Sequence, residues 1–342
     1  MTFVRPGSWL LAALLLCPAS SVAQDIDPRW SIDIRRETFG YGARARTDIP
    51  WSRIVQGCAR RDCIVAIDAP TMVTWGTGYS YRDDELIMGV RVADSARAYP
   101  LRILNYHEIV NDWIESIPIA ITYCPLCGSG LVFRRDLQDG VTTFGVSGLL
   151  YESDLVLYDR RSESLWTQAN GRAFAGPARG QVLVEMSSAL TTLGEWRAQY
   201  PATLVLQPPG SQAQRYARLS PYGDYDQSRN LLFPVSKRSK TLHPKEVTFG
   251  FELDVGIAVT ERLMREATCI RVPSSRGLID IVRHEDGQVR ISNLVDPPVA
   301  RRMFWFAWYA FNPSTALFDI ETPYAACLDS ALESASKSVP GL

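Results

Sequence analysis

The sequence predicts an α+β protein that is rich in β-strands, with two related modules packed as one compact body. Three observations predict this class. Short β-branched or alternating apolar runs recur between turn residues. A clear helical segment ends at Pro201. Landmarks of the first half also return in the second half. The formal net charge of -1, without a basic block, argues against nucleic acid as a partner.

The first residues predict an export signal. Arg5 is followed by an apolar run over residues 9–16 and by the small residues Ser21-Val22-Ala23. We therefore expect residues 1–23 to be cleaved after Ala23 and the mature protein to be periplasmic or secreted. The most apolar later stretch, residues 303–311, is about half the ~20 residues that span a bilayer, so no transmembrane segment is expected in the mature chain.

The elements of the first module follow a polar lead-in over residues 24–50. We expect a strand over residues 86–92 and a short helical turn over 101–105. Residues 109–114 and 117–123 form apolar strands separated by Glu115-Ser116, which predicts a hairpin. Further strands are expected at 131–134, 141–146 and 155–158. A helix over 190–200 is indicated by capping from Thr191 or Thr192, by Glu195 in its first turn and by Pro201 at its end.

The chain also contains an internal repeat. Trp196 and Pro201 align with Trp308 and Pro313, in the order and spacing of a repeated module. The pattern predicts a first module over 51–206, an ordered linker loop over 207–246, a shortened second module over 247–320 and a tail over 321–342. The second copy has no Cys-x-x-Cys motif, so we place any chemistry in the first.

Cysteine usage fits an oxidising compartment. Removal of the signal takes Cys17 away and leaves six cysteines, an even count that is typical of disulfides. Proximity along the chain favours two short-range pairs and leaves one long-range pair. These pairs are Cys58 with Cys63, Cys124 with Cys127, and Cys269 with Cys327.

Cys124 and Cys127 are the principal functional candidates. A strand-like run follows them after Gly128, whereas a thioredoxin-type motif begins a helix that lowers the pKa of its thiol. One possibility is redox catalysis, in which one thiolate attacks and the other resolves. The alternative is a soft-metal site, in which the hairpin register brings His107 to both thiols as a third ligand for copper or zinc.

Other polar residues are weaker candidates. His243 lies in the linker loop, and His284 is expected in an exposed hairpin turn. Four carboxylates lie near aromatic residues and could serve a hydrolase as acid and base, although acidic residues are common in such turns. They are Glu152, Asp154, Asp159 and Glu163.

Several long motifs resemble the DUF3179 family. They span residues 98–112, 122–129, 144–151, 153–156, 221–225, 231–235 and 243–246, and the resemblance extends over about residues 51–317. The family has no settled function, but some members carry selenocysteine in the Cys-x-x-Cys region. This resemblance implies redox or soft-metal chemistry at Cys124 and Cys127. The chain departs from the family pattern in its Cys58–Cys63 loop, which indicates an additional disulfide that holds this loop closed.

Two functional hypotheses follow. In the first, an exported protein carries a thiol redox or copper/zinc site at Cys124 and Cys127 with His107, served by an unidentified redox or metal-donor partner. In the second, the protein is a non-catalytic binding or scaffold protein whose cysteines are all structural disulfides.

Overall fold

A computed structural model describes residues 30–210, 213–216, 218, 220–322 and 324–327. The predicted signal segment, with Cys17, lies outside these residues, as does most of the tail. Within the described part of the chain, no helix is long and apolar enough to cross a membrane.

The first half of the chain contributes sixteen strands among the described residues. They are β1 (Ile54–Gln56), β2 (Met72–Thr74), β3 (Leu86–Val92), β4 (Ser95–Pro100), β5 (Ile109–Ile114), β6 (Ile117–Cys124), β7 (Ser129–Arg134), β8 (Asp136–Leu137), β9 (Gly140–Val141), β10 (Phe144–Tyr151), β11 (Asp154–Asp159), β12 (Leu165–Thr167), β13 (Arg172–Ala175), β14 (Glu185–Met186), β15 (Ser188–Thr192) and β16 (Leu204–Leu206).

Eight strands follow in the second half: β17 (Val247–Phe251), β18 (Ile257–Thr260), β19 (Cys269–Ser274), β20 (Gly277–Arg283), β21 (Val289–Ile291), β22 (Arg301–Phe304), β23 (Ala316–Phe318) and β24 (Ala325–Ala326). The α-helices of the described chain are short: α1 (Leu101–His107), α2 (Leu193–Gln199), α3 (Glu261–Glu266) and α4 (Trp305–Phe311). The predicted β-rich α+β class is therefore confirmed.

The turn that carries Cys124 and Cys127, here called the cysteine turn, joins β6 to β7 in the sheet with strand order β14-β7-β6-β5. This sheet is buried on both faces, which explains the continuous apolar run of β6. Ile119 and Ile121 point into one core beneath the sheet β15-β3-β4-β16-β2. Ala120 and Cys124, on the alternate positions, point into a second core that also holds α4. The site thus faces the core shared by the two halves of the chain.

Corresponding elements of the two halves have the same topology. β3 and β4 form an antiparallel hairpin, and β16 pairs parallel to β4; β17, β18 and β23 have the same arrangement. Trp196 donates its indole N–H to Thr203 Oγ1 at 3.0 Å, and Trp308 donates to Thr315 Oγ1 at 2.9 Å. Each ring lies over a strand glycine, Gly89 or Gly250, where a Cβ atom would overlap the indole.

The predicted local structure agrees with most of these elements. The β5–β6 hairpin is confirmed, and its turn places Glu115 in the left-handed region at φ 53°. The predicted 190–200 helix is wrong at its start, because Ser188–Thr192 pairs with β3 and α2 begins at Leu193. Thr192, one of the two predicted caps, is the N-cap of α2 and forms a capping box with Glu195.

Two of the three predicted cysteine pairs are disulfides. Cys58–Cys63 and Cys269–Cys327 have Cα–Cα distances of 6.4 and 5.7 Å. The prediction of a third bond, between Cys124 and Cys127, is wrong for this structure, because both thiols are free and buried. Nearness in sequence did not separate a disulfide from a pair of core thiols.

Candidate functional site

The cysteine turn is a tight connection between two paired strands. Cys124 ends β6 and pairs with Ser129 at the start of β7, so four residues form the loop between them. Cys127 donates its backbone N–H to Cys124 O at 3.2 Å, and Gly128 has a left-handed φ of 58°. The predicted strand–turn–strand arrangement is confirmed. The turn leads into the strand β7 and not into a helix of its own, unlike a thioredoxin-type motif.

Burial makes these thiols unlike those of a reactive Cys-x-x-Cys motif. Cys124 is 2% exposed and Cys127 is 1% exposed. Burial raises the pKa of both thiols, most strongly that of Cys127. In thioredoxin-type sites the pKa of the attacking thiol is lowered instead. Burial of this pair therefore disfavours the thiolate form of both cysteines.

Asp154 is the third member of the cluster. It follows the turn between β10 and β11 and is 1% exposed. One carboxylate oxygen and the two sulfur atoms all lie within 4.8 Å of one another. Asp154 Oδ2 accepts the Ala169 N–H at 2.8 Å, whereas Asp154 Oδ1 is buried and has no hydrogen-bond partner among the described residues. An unpartnered, fully buried carboxylate oxygen costs free energy unless a ligand completes it.

A second buried carboxyl group, that of Glu108, lies near the cluster. Glu108 caps the C-terminus of α1 in a left-handed conformation at φ 58° and is 6% exposed. Burial and the charge of Asp154 raise the pKa of Glu108 to about 8. Burial likewise raises the pKa of Asp154 to about 7, although the Ala169 N–H and the neighbouring Cys127 and Cys124 thiols partly offset this effect. Two thiols and two carboxyls thus share one poorly solvated region.

Lys245 and Tyr225 pack near the thiols from the linker loop. Lys245 Nζ lies 3.7 Å from the centroid of the Tyr225 ring and donates to three backbone carbonyls of that loop. Burial lowers the pKa of Lys245 to about 8, while the charge of Asp226 acts in the opposite direction. Tyr225 Oη is buried and, like Asp154 Oδ1, has no partner among the described residues.

The structure does not place His107 in this cluster. Its Nδ1 lies 2.6 Å from Val65 O, and its Nε2 lies 2.7 Å from Tyr216 Oη. The chain turns sharply at Glu108, so the side chains of His107 and Glu108 have different surroundings. Asp154, and not the expected His107, lies beside the two thiols.

The remaining candidates have structural partners. Glu152 binds Arg53 and Ser236, and Asp159 accepts from Trp166 Nε1 at 3.0 Å. Glu163 pairs with Arg61 at 2.6 Å. His243 Nδ1 accepts the Lys245 backbone N–H. His284 lies in the predicted turn between β20 and β21, but it is half-buried and not exposed as expected. Of the four carboxylates named from sequence, only Asp154 reaches the thiols.

A cavity of about 50 Å³ opens beside Cys124. Its walls are mainly apolar and include Leu126, Leu150 and Phe233. Glu108 and the Cys58–Cys63 disulfide also line it. The volume exceeds the ~10–15 Å³ that a single buried water needs. Small molecules therefore have a place next to one thiol of the cluster.

The fold and the cluster define a class: β-rich α+β proteins with a buried thiol–carboxylate site. The chain belongs to the family described as "Protein of unknown function (DUF3179)", which it matches over residues 61–296. No curated protein and no solved structure matches it. Asp154 and Glu108 both lie within that matched range, so a signal for them existed in the family motifs at residues 98–112 and 153–156.

Proposed function

We propose that this protein binds a zinc ion through Cys124, Cys127 and Asp154. The observation that carries this proposal is the unpartnered Asp154 Oδ1, buried in a cluster whose ligand atoms lie within 4.8 Å of one another. Two thiols and two carboxyls share the region, and a divalent ion supplies the positive charge that lets them deprotonate.

The donor set distinguishes zinc from copper(I). Copper(I) prefers soft sulfur ligands, whereas zinc accepts thiolate and carboxylate ligands together. Asp154, a harder oxygen donor, therefore favours zinc. Three protein ligands are also the number found in catalytic zinc sites, in which the ion activates a bound water. Glu108, which lines the neighbouring cavity, is the side chain placed to take part in such chemistry.

His107 has a different role in this proposal. Val65 O and Tyr216 Oη occupy its two ring nitrogens, so it fixes α1 against the linker loop. We assign it no ligand role. A scaffold role for the cysteine pair is disfavoured because a structural pair does not need an orphaned carboxylate oxygen beside it.

The setting of the site is also part of the proposal. We infer an exported, periplasmic or secreted protein, which the two disulfides support. We further infer that the two halves arose by duplication, which the matching Trp–Thr and Trp–Gly contacts support. The second copy then serves as a wall of the site, since Phe304 N donates to Cys127 O at 2.8 Å.

Metal analysis tests the proposal. The purified protein, stripped with chelator and titrated with zinc, is expected to bind one ion per chain. Asp154→Asn and Cys127→Ser should lose this ion. Asp159→Asn is the matched control, because that buried carboxylate already has partners and should keep the ion bound.

His107→Ala separates the two ligand sets. It should keep the zinc if Asp154 is the third ligand, and lose it if His107 is. Absence of zinc binding by the wild type, or equal binding by Asp154→Asn and Asp159→Asn, would refute the proposal.

A further inference from the structure

The cavity beside Cys124 brings two kinds of sulfur chemistry together. Cys124 lines it as a free thiol, and Cys58 and Cys63 line it as a disulfide. Its volume of about 50 Å³ is several times the ~10–15 Å³ that a single water needs. One thiol of the buried pair and the Cys58–Cys63 disulfide therefore line the same small cavity.

Backbone contacts hold the disulfide loop against this cavity. Gly57 donates to Gly148 O and Asp62 donates to Val146 O, both at 2.9 Å. Both acceptors lie on β10, where the pairing register with β11 shifts between Val146 and Leu150. A Cβ atom at Gly148 would lie 3.3 Å from Cys58 Cβ, so the glycine lets the disulfide approach the strand closely.

The same loop reaches the surface. Cys58 and Cys63 are half-buried, and Ala59 and Arg60 between them are exposed. The loop that carries the disulfide is therefore partly exposed, whereas the Cys124 and Cys127 thiols are buried.

We propose that Cys58–Cys63 exchanges with the Cys124/Cys127 dithiol, so that electrons pass between the buried site and the protein surface. The Cys124 sulfur attacks one sulfur of the Cys58–Cys63 bond, that bond breaks, and the other sulfur leaves as a thiolate. The Cys127 sulfur then attacks Cys124, and the second loop cysteine leaves. Two protons follow from the buried pair to the loop pair.

This exchange needs no outside oxidant, because one disulfide is lost for each one formed. It does not depend on zinc binding, although a bound ion would hold the same two sulfurs and block the attack. Cys269–Cys327 provides an internal control, since it joins β19 to the residue after β24 in the second half of the chain.

Disulfide mapping of the full chain tests this proposal. Chelator-treated protein is incubated anaerobically at pH 8, quenched with acid, alkylated and analysed by mass spectrometry. Total thiol is expected to stay at two per chain. Label lost from Cys124 and Cys127 should equal label gained at Cys58 and Cys63, with Cys269–Cys327 unlabelled.

A trapping variant provides a second readout. Cys127→Ser cannot resolve the intermediate, so it should accumulate a peptide that links Cys124 to Cys58 or Cys63. The Cys124→Ser/Cys127→Ser double variant should yield none. Label confined to Cys124 and Cys127 in the wild type, together with no linked peptide in Cys127→Ser, would overturn the proposal whether or not the protein binds zinc.

Discussion

The stability of the metal-free protein should fall as pH rises through neutrality. Asp154 and Glu108 have pKa values of about 7 and about 8 in the folded chain. Their ordinary values, 3.8 and 4.5, apply to the unfolded chain. At a pH between the unfolded and the folded pKa of each group, the folded chain keeps a proton that the unfolded chain has released. The free energy of unfolding therefore decreases with pH in this window and is highest below about pH 4 for these two groups.

The magnitude follows from the raised pKa of Asp154. One pKa unit corresponds to about 1.4 kcal/mol, so the rise from 3.8 to about 7 is worth about 4 kcal/mol in full. Between pH 5 and pH 8.5, about 3 kcal/mol of this should be lost from the free energy of unfolding. Glu108 adds a loss of the same sign.

Denaturant unfolding followed by tryptophan fluorescence measures this difference with chelator present and disulfides intact. Asp154→Asn, which cannot ionise, should show a smaller loss between pH 5 and pH 8.5 by about 3 kcal/mol. Asp159→Asn should keep the wild-type loss. Saturating zinc should abolish the loss in the wild type. Equal pH dependence of metal-free wild type and Asp154→Asn would refute this reasoning.

Three further substitutions have defined outcomes. Gly128→Ala places a Cβ 2.8 Å from the Phe304 ring, at a backbone φ of 58°. It should lower the melting temperature and the zinc affinity more than Gly180→Ala does. The Cβ of the Gly180→Ala control would meet nothing within 4 Å. Thr203→Val and Thr315→Val should each cost about 1–3 kcal/mol in denaturant unfolding, because each leaves a buried indole N–H without its acceptor; a cost in only one would contradict the equivalence of the two halves. Lys245→Met should lower the melting temperature because three carbonyls lose their donor, and an unchanged value would show that this cation is dispensable.

Local patterns predicted the elements that local forces determine. The β5–β6 hairpin followed from two apolar runs and a two-residue turn, and the capping box of α2 followed from Thr192 and Glu195. The helix start was displaced because Ser188–Thr192 completes a sheet with β3, a pairing that distant residues decide. Periodicity in a single segment does not contain that information.

The same distinction between local and distant contacts explains why the sequence predicted the two thiols of the site but not Asp154. The two cysteines lie in one turn, so the sequence alone predicts that they are close together. Asp154 reaches them only because the β10–β11 turn packs against the cysteine turn, with Cys127 Sγ 3.3 Å from Ser153 O. His107 lies away from the thiols because the backbone at Glu108 is left-handed. A non-glycine residue rarely adopts this conformation, so the sequence did not predict it.

The chemistry of a Cys-x-x-Cys motif is decided by the charges that surround it. A helix N-terminus supplies partial positive charge and stabilises a thiolate, which suits redox attack. Here the buried carboxyl groups of Asp154 and Glu108 lie near the thiols, and burial raises the pKa of both thiols. In the proposed zinc site, protons and the metal ion are alternative sources of positive charge for one cluster. The proposal therefore predicts that zinc affinity rises steeply with pH, because binding through Cys124, Cys127 and Asp154 displaces the protons that these groups otherwise hold.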